Sequence, residues 1–338
     1  MTAFIIVFVT VLCILTLAEL AMWYMVRHPS MLKRMSHKLQ NSFSYLYIQG
    51  ERKVMQYLEG CGRHSLDFGY TLKPGTFIFT EIEFSNAYFI NSLGVRDTES
   101  ALRGPEIIVL GDSFALGWGV DQDETFSVLI GKKTGLKTLN TSIPSFGTVR
   151  EMLMLRKIDR SKLKYLIIQY CGDDYDENLR YYQNGNRPQI MREETFRKLT
   201  VIHSLPKKYY FGKYVWMKIK KKMQEWRPSS PKAPTGIQLS DADLFLHVLK
   251  QNEDILKSIP IIVFEINGKD QSNIFTTELK KKAFNSSHLS FIRNLIVLDM
   301  SQYLCDENFY VLDGHLNVDG HNIVTNVLYN TINNVKIL

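Results

Sequence analysis

Cysteine is scarce, with four in 338 residues, and Cys13 sits inside an apolar run. Cys61, Cys171 and Cys305 remain, an odd number that argues against a disulfide framework. A Cys61–Cys305 bridge, which would imply an oxidising compartment, stays open. Cys171 closes an apolar strand and reads as buried and inert. Cysteines and histidines show no ligand spacing, so no metal and no cofactor is expected. No Lys or Arg precedes Phe4 and no small-residue cleavage site follows Val26, so a cleavable signal peptide fits poorly. From Phe4 to Val26 run 23 residues whose single charge is Glu19. That is the length a bilayer-spanning helix needs, and it predicts a transmembrane anchor over 1–27. Glu19, close to Trp23 and Tyr24, is expected at the membrane interface rather than as a functional acid in the bilayer.

The remainder has ordinary globular composition, 45% hydrophobic and 22% charged over the whole chain, which excludes wholesale disorder. Its organising stretch is Ile107-Ile-Val-Leu-Gly-Asp-Ser113. Four branched apolar residues bounded by glycine read as a buried strand, and the Gly-Asp-Ser after it falls where a parallel strand turns into a helix. Such corners are where open α/β sheets place their chemistry. A serine there exposes its hydroxyl and lends its own N–H to a developing oxyanion. A partner for it lies far along the chain, in Asp313-Gly-His315-Leu-Asn-Val-Asp-Gly-His321. If this segment is extended, Asp313 and His315 project to the same side. Asp313 then holds Nδ1–H of His315 while Nε2 faces Ser113, the relationship that makes a serine nucleophilic.

The pairing of Gly111-Asp112-Ser113 with Asp313-Gly-His315 resembles the SGNH/GDSL hydrolases, in motif order and in separation, over roughly residues 68 to 335. The resemblance implies an acyl-ester hydrolase of esterase or deacetylase type, with Ser113 as nucleophile, His315 as general base and then acid, and Asp313 as orienting carboxylate. Spacing in much of that family is one residue longer; the corresponding slot is Leu312, which leaves Asp313 as the local candidate. The resemblance also implies an oxyanion hole from the N–H groups of Ser113 and Ser142. Asp173 stands where the family has an asparagine that donates its side-chain amide. A carboxylate donates nothing, so three alternatives stay open: a protonated Asp173, a substitute amide such as Gly172 N–H, or a slow or inactive site.

Strands alternating with helices predict a three-layer α/β/α sandwich on a parallel sheet, flavodoxin-like in type. Strands are expected at 137–140, 165–171, 260–266 and 295–298, and helices at 126–130 (ended by Gly131 or Gly135), 148–157, 240–257, 274–284 and from Val318 or Asp319 to 330. Residues 28–66 read as a juxtamembrane stalk and 67–104 as a β flap, with a strand over 76–84 and Arg96 as a solvated surface residue. The catalytic domain follows over 105–338. Within it, 179–236 reads as an insertion that ends in a linker, 227–236. His321, at a helix start, is expected to be structural.

Between Lys207 and Arg227, eight basic residues and one acid alternate with six aromatics. This fits a basic amphipathic helix on an anionic membrane, with a lid, a solvated helix and a nucleic-acid patch as rivals; no nucleic-acid partner is expected. The expected partners are therefore an acyl-ester substrate, on a glycan or a lipid, and the membrane through 4–26 and 207–227. Arg27, Lys33, Arg34 and Lys38 favour a cytoplasmic body by the positive-inside rule, whereas long domains translocate regardless of flanking charge. Membrane-anchored proteins with this kind of head are often extracytoplasmic, so the expectation is a single-pass protein of a bacterial inner membrane, leaning to that side. Two other functions stay open: an O-acyltransferase to a glycan hydroxyl, which shares the acyl-serine, and a non-catalytic, membrane-tethered binding or assembly protein, for which Asp173 is the main argument.

Overall fold

The charge-poor run forms α1 (Thr2–Arg27), a single helix long and apolar enough to cross a membrane. The structure, a computed structural model, describes residues 1–226, 239–269, 271–286 and 289–335, so the linker expected at 227–236 lies outside the described residues. The stretch after α1, read from the sequence as a stalk, carries α2 (His37–Gly50), which is folded against the body. Phe43, Leu46 and Tyr47 are buried with Val26, Leu32, Tyr214 and Leu312. Helical apolar spacing signals such a buried face without saying what covers it. All four cysteines are free.

Two antiparallel hairpins follow, β1 (Gly62–Ser65) with β2 (Gly69–Leu72), and β3 (Gly75–Thr80) with β4 (Ser85–Ile90). The single strand expected over 76–84 is thus one hairpin arm and its turn. Glu81 N–H donates to Phe84 O at 2.9 Å across that turn, and the carboxylates of Glu81 and Glu83 bond elsewhere instead of continuing the alternation. The second hairpin packs Phe79, Phe84, Tyr88 and Ile90 onto Leu116 and Trp118. Arg96 corrects the sequence reading: it is 1% exposed, stacks on Tyr88, and donates to the carbonyls of Ala87, Leu116, Gly117 and Val120. A guanidinium carries five donors in a fixed fork, so one buried arginine pins the whole loop behind the serine corner.

The core then alternates as expected. In order come β5 (Ile107–Leu110), α3 (Ser113–Leu116), α4 (Phe126–Thr134), β6 (Thr138–Asn140), α5 (Thr148–Lys157), β7 (Tyr165–Tyr170) and α6 (Asp174–Gln183). After α7 (Glu193–Ser204) and α8 (Lys213–Trp226) come α9 (Asp241–Lys250), α10 (Glu253–Leu256), β8 (Ile261–Glu265), α11 (Ile274–Asn285), β9 (Leu295–Leu298) and α12 (Val318–Val335). Gly135, at φ +70°, ends α4, one turn beyond Gly131. Ser240 caps α9 as its position predicts, its hydroxyl accepting from Asp243 N–H.

The five core strands are all parallel, in the order β6-β5-β7-β8-β9. Because successive side chains of a strand point to opposite faces, Ile108, Leu110, Ile168 and Val263 pack under α5, α9 and α11, while Ile107, Val109, Ile167 and Phe264 pack under α4 and α12. The fold is therefore a three-layer α/β/α sandwich with flavodoxin-like strand order. In that order the chain leaves β5 to one side for β6 and then crosses to the other for β7. The crevice at this reversal is where open α/β sheets bind ligands, and Ser113 begins there.

Candidate active site

Local sterics build the serine corner. Gly111 sits at φ +155°, and a Cβ there would come within 2.7 Å of Ala115 Cβ and Gln169 Oε1, so the residue before Asp-Ser has to be glycine. Asp112 accepts from Phe114 N–H at 2.9 Å and caps α3. Ser113 is the first residue of that helix, partly exposed, and its N–H donates to no acceptor among the described residues.

His315 Nε2 lies 2.7 Å from Ser113 Oγ, and its Nδ1 bonds Asp313 Oδ1. The three residues are thus brought together as the sequence predicted, by a different backbone. Residues 313–315 are not extended: Gly314 adopts φ +79°, and a turn presents both side chains to one another. Burial opposes ionisation of Asp313, yet the charge and hydrogen bond of His315, with help from Arg52 and Tyr47, hold its carboxyl below the usual range. Trp118 stacks on the imidazole with ring centres 5.2 Å apart, and Phe114 lies at 4.6 Å.

The loop is fixed from outside by residues that carry no motif. Glu83, in the flap, accepts the consecutive N–H groups of Val311, Leu312 and Asp313, each at 2.8 Å. Ser44 Oγ donates to Leu312 O at 2.6 Å, and Tyr47 donates to Asp313 Oδ2 at 3.1 Å. Nothing in the sequence marks these three: their only signal is a polar residue within a half-apolar helix or strand. Leu312, in the family's alternative acid slot, is fully buried.

The expected oxyanion donors fare differently. Ser142 N–H donates to Asn140 Oδ1 at 3.1 Å in a buried loop, so that amide is already committed. Gly172 N–H, the substitute, donates to Asn267 Oδ1 at 2.7 Å. Asp173 is exposed, and its side chain makes no capping bond to α6. Of the expected amides, Ser113 N–H alone is uncommitted.

Behind the corner lies a set of buried acids, Asp112 of the motif together with Glu151 and Asp174. Burial pushes Asp112 up to about 7, with the nearby Asp173 charge adding to it, and raises Glu151 and Asp174 well above the usual carboxylate range. Neither oxygen of Glu151 has a hydrogen-bond partner among the described residues, consistent with burial favouring its protonated form. A cleft of about 360 Å³ borders Asp112 and Asp173, with Tyr57, Tyr70, Phe146 and Arg150 in its walls. His321 accepts from Phe126 N–H at 3.2 Å, is wholly buried and is pushed down to about 3 by burial, a neutral structural imidazole as predicted. Among the described residues no group of three His, Cys, Asp or Glu side chains is placed to hold a metal.

No family model matches the chain, and no curated protein does. Among solved structures it is similar to a G-D-S-L family protein from Desulfitobacterium hafniense DCB-2, described as lipolytic, at 14% identity over 65% of this chain and 98% of that one, with a TM-score of 0.30. It is likewise similar to a carbohydrate esterase whose active site is described as having divergent catalytic and non-catalytic binding functions, at 14% identity over 69% of this chain and 65% of that one, with a TM-score of 0.35.

Proposed function

We propose that the chain is a serine-dependent acyl-ester hydrolase that works through an acyl-serine, held to a bacterial inner membrane by α1 with its body on the extracytoplasmic side. The observation that carries the reading is the continuous hydrogen-bonded line from Ser113 Oγ through His315 to Asp313. In this reading His315 Nε2 takes the hydroxyl proton as Oγ attacks the ester carbonyl, and returns it to the departing alcohol. Water, deprotonated by the same nitrogen, then releases the acid. Asp313 keeps the imidazole in the tautomer with a free Nε2 lone pair and stabilises the cation that forms. The substrate class is an ester on a glycan or a lipid.

A second reading, a tethered protein that binds without turnover, is favoured by the committed amides of Ser142 and Gly172 and by the carboxylate of Asp173. A fluorophosphonate probe separates the two. Labelling that disappears in Ser113→Ala supports the hydrolase; a folded protein that never labels supports the binder. Product analysis with added sugar acceptors then tells hydrolysis from transfer of the acyl group to a hydroxyl.

A further inference from the structure

Glu19 is the single charge in the apolar run of α1 before Arg27, and it is fully buried. Its carboxylate accepts from Tyr214 N–H at 3.2 Å, Val215 N–H at 2.8 Å and Tyr209 OH at 3.0 Å. Tyr214 and Val215 open α8, so an acid from the long apolar helix caps the N-terminus of a helix nearly two hundred residues later. Capping by a carboxylate satisfies N–H groups that otherwise lack partners and complements the positive end of the helix. It also sets a height. Glu19 is eight residues from the end of α1, about 12 Å along its axis. The apolar part of α1 needs about 20 residues to cross the hydrocarbon layer, which puts Glu19 near its boundary. Trp23 and Tyr24 lie just beyond, and Arg27 sits over the rings of Trp23 and Tyr209.

From that height α8 runs on with two unlike faces. Tyr214, Met217, Lys218 and Lys221 turn toward the body, where Lys218 bonds Ser42 and Lys221 sits over Tyr45. On the opposite side Trp216, Ile219 and Met223 form an apolar stripe, each about half exposed, and the exposed Tyr210 and Phe211 continue it. At 3.6 residues per turn the stripe spans about 60° of the helix, with exposed Lys220 and Lys222 on its two flanks. An apolar stripe bordered by lysines, on a helix whose first turn is tied to the level of the interface, is the chemistry that recognises an anionic bilayer surface.

We propose that α8 is a second, surface-lying membrane element: Trp216, Ile219 and Met223 enter the headgroup boundary of the leaflet that α1 leaves, and Lys220 and Lys222 meet its anionic lipids. The proposal rests on the reading of α1 as a membrane anchor. Its consequence is that the body is held at two points and cannot swing freely about α1, so the serine corner keeps a fixed distance from the membrane.

The test uses the full chain reconstituted in vesicles of phosphatidylcholine and phosphatidylglycerol, with part of the phosphatidylcholine brominated high on its acyl chains. The difference in tryptophan emission between wild type and Trp216→Phe, an exposed position, reports residue 216 alone. The expected result is that this difference emission is quenched by brominated lipid, and more strongly with phosphatidylglycerol present than without it. Unquenched difference emission in a protein that resists alkaline carbonate extraction overturns the proposal and leaves the anchor standing; the stripe then faces a second copy or another protein. A protein released by carbonate overturns the anchor and the proposal together.

Discussion

The hydroxyl of Tyr47 lies 3.1 Å from Oδ2 of Asp313, the carboxylate oxygen that His315 leaves free. Tyr47 is buried and also reaches Glu81 Oε2 at 3.1 Å. Burial and then the charges of Asp313 and Glu81 push its pKa far up, so the phenol stays a donor at any ordinary pH. A segment outside the sandwich thereby fixes the acid of the triad.

Tyr47→Phe removes that donor and leaves the ring in place. Loss of one hydrogen bond to a charged group is worth about 1.5–3 kcal/mol, so labelling of Ser113 by a fluorophosphonate is expected to slow by about tenfold or more. A labelling time course measures it. An unchanged rate means that Asp313 is held by its other contacts alone.

Glu83→Gln withdraws the charge shared by three successive amides and keeps the shape. Thermal unfolding should shift down by an amount corresponding to about 1–3 kcal/mol, with slower labelling because residues 311–313 are no longer pinned. Calorimetry and labelling on one preparation separate the two effects. Slower labelling without destabilisation would make Glu83 a positioning residue only.

The buried acids give stability a definite pH slope. Burial raises Asp97 to about 6 and Asp112, Glu81 and Glu265 to about 7. Between the ordinary carboxylate range and pH 7 the folded chain therefore binds more protons than the unfolded chain, and stability falls as pH rises through that window. Melting temperatures measured from pH 5 to 8 should decline. Asp112→Asn keeps the cap on Phe114 N–H and should flatten the decline; an unaltered slope would mean that Asp112 is ionised throughout.

Asp173→Asn offers an amide where the carboxylate repels negative charge. The cap of α6 does not depend on that side chain, so stability should not change. Supplying an oxyanion donor is worth up to about 10²–10³ in rate, and labelling should accelerate toward that range. No acceleration would mean that residue 173 does not reach the oxyanion, leaving Ser113 N–H as its donor.

Much of this molecule was legible locally. Runs such as Ile107–Leu110 and Ile261–Glu265 announce buried strands because branched side chains suit a pleated surface covered on both faces. Gly111 marks the serine corner because a backbone at positive φ disfavours a Cβ, and here one would also meet Ala115. Those features depend on neighbours a few residues away, so the order of residues determines them. Sequence could also pair Ser113 with His315 by motif, though with the wrong backbone at Gly314.

Tertiary structure decided what long-range pairing alone can decide. Arg96 is a clamp and not a surface residue because four carbonyls converge on it from two separate segments. Ser142 N–H is unavailable because Asn140 folds back to accept it, and the segment after α1 is part of the body because Tyr47 finds Asp313 266 residues later. The physical reason is the same in each case. Most buried polar groups are held by a partner, and which partner is within reach depends on how distant segments pack, which no local pattern of apolar and polar residues records.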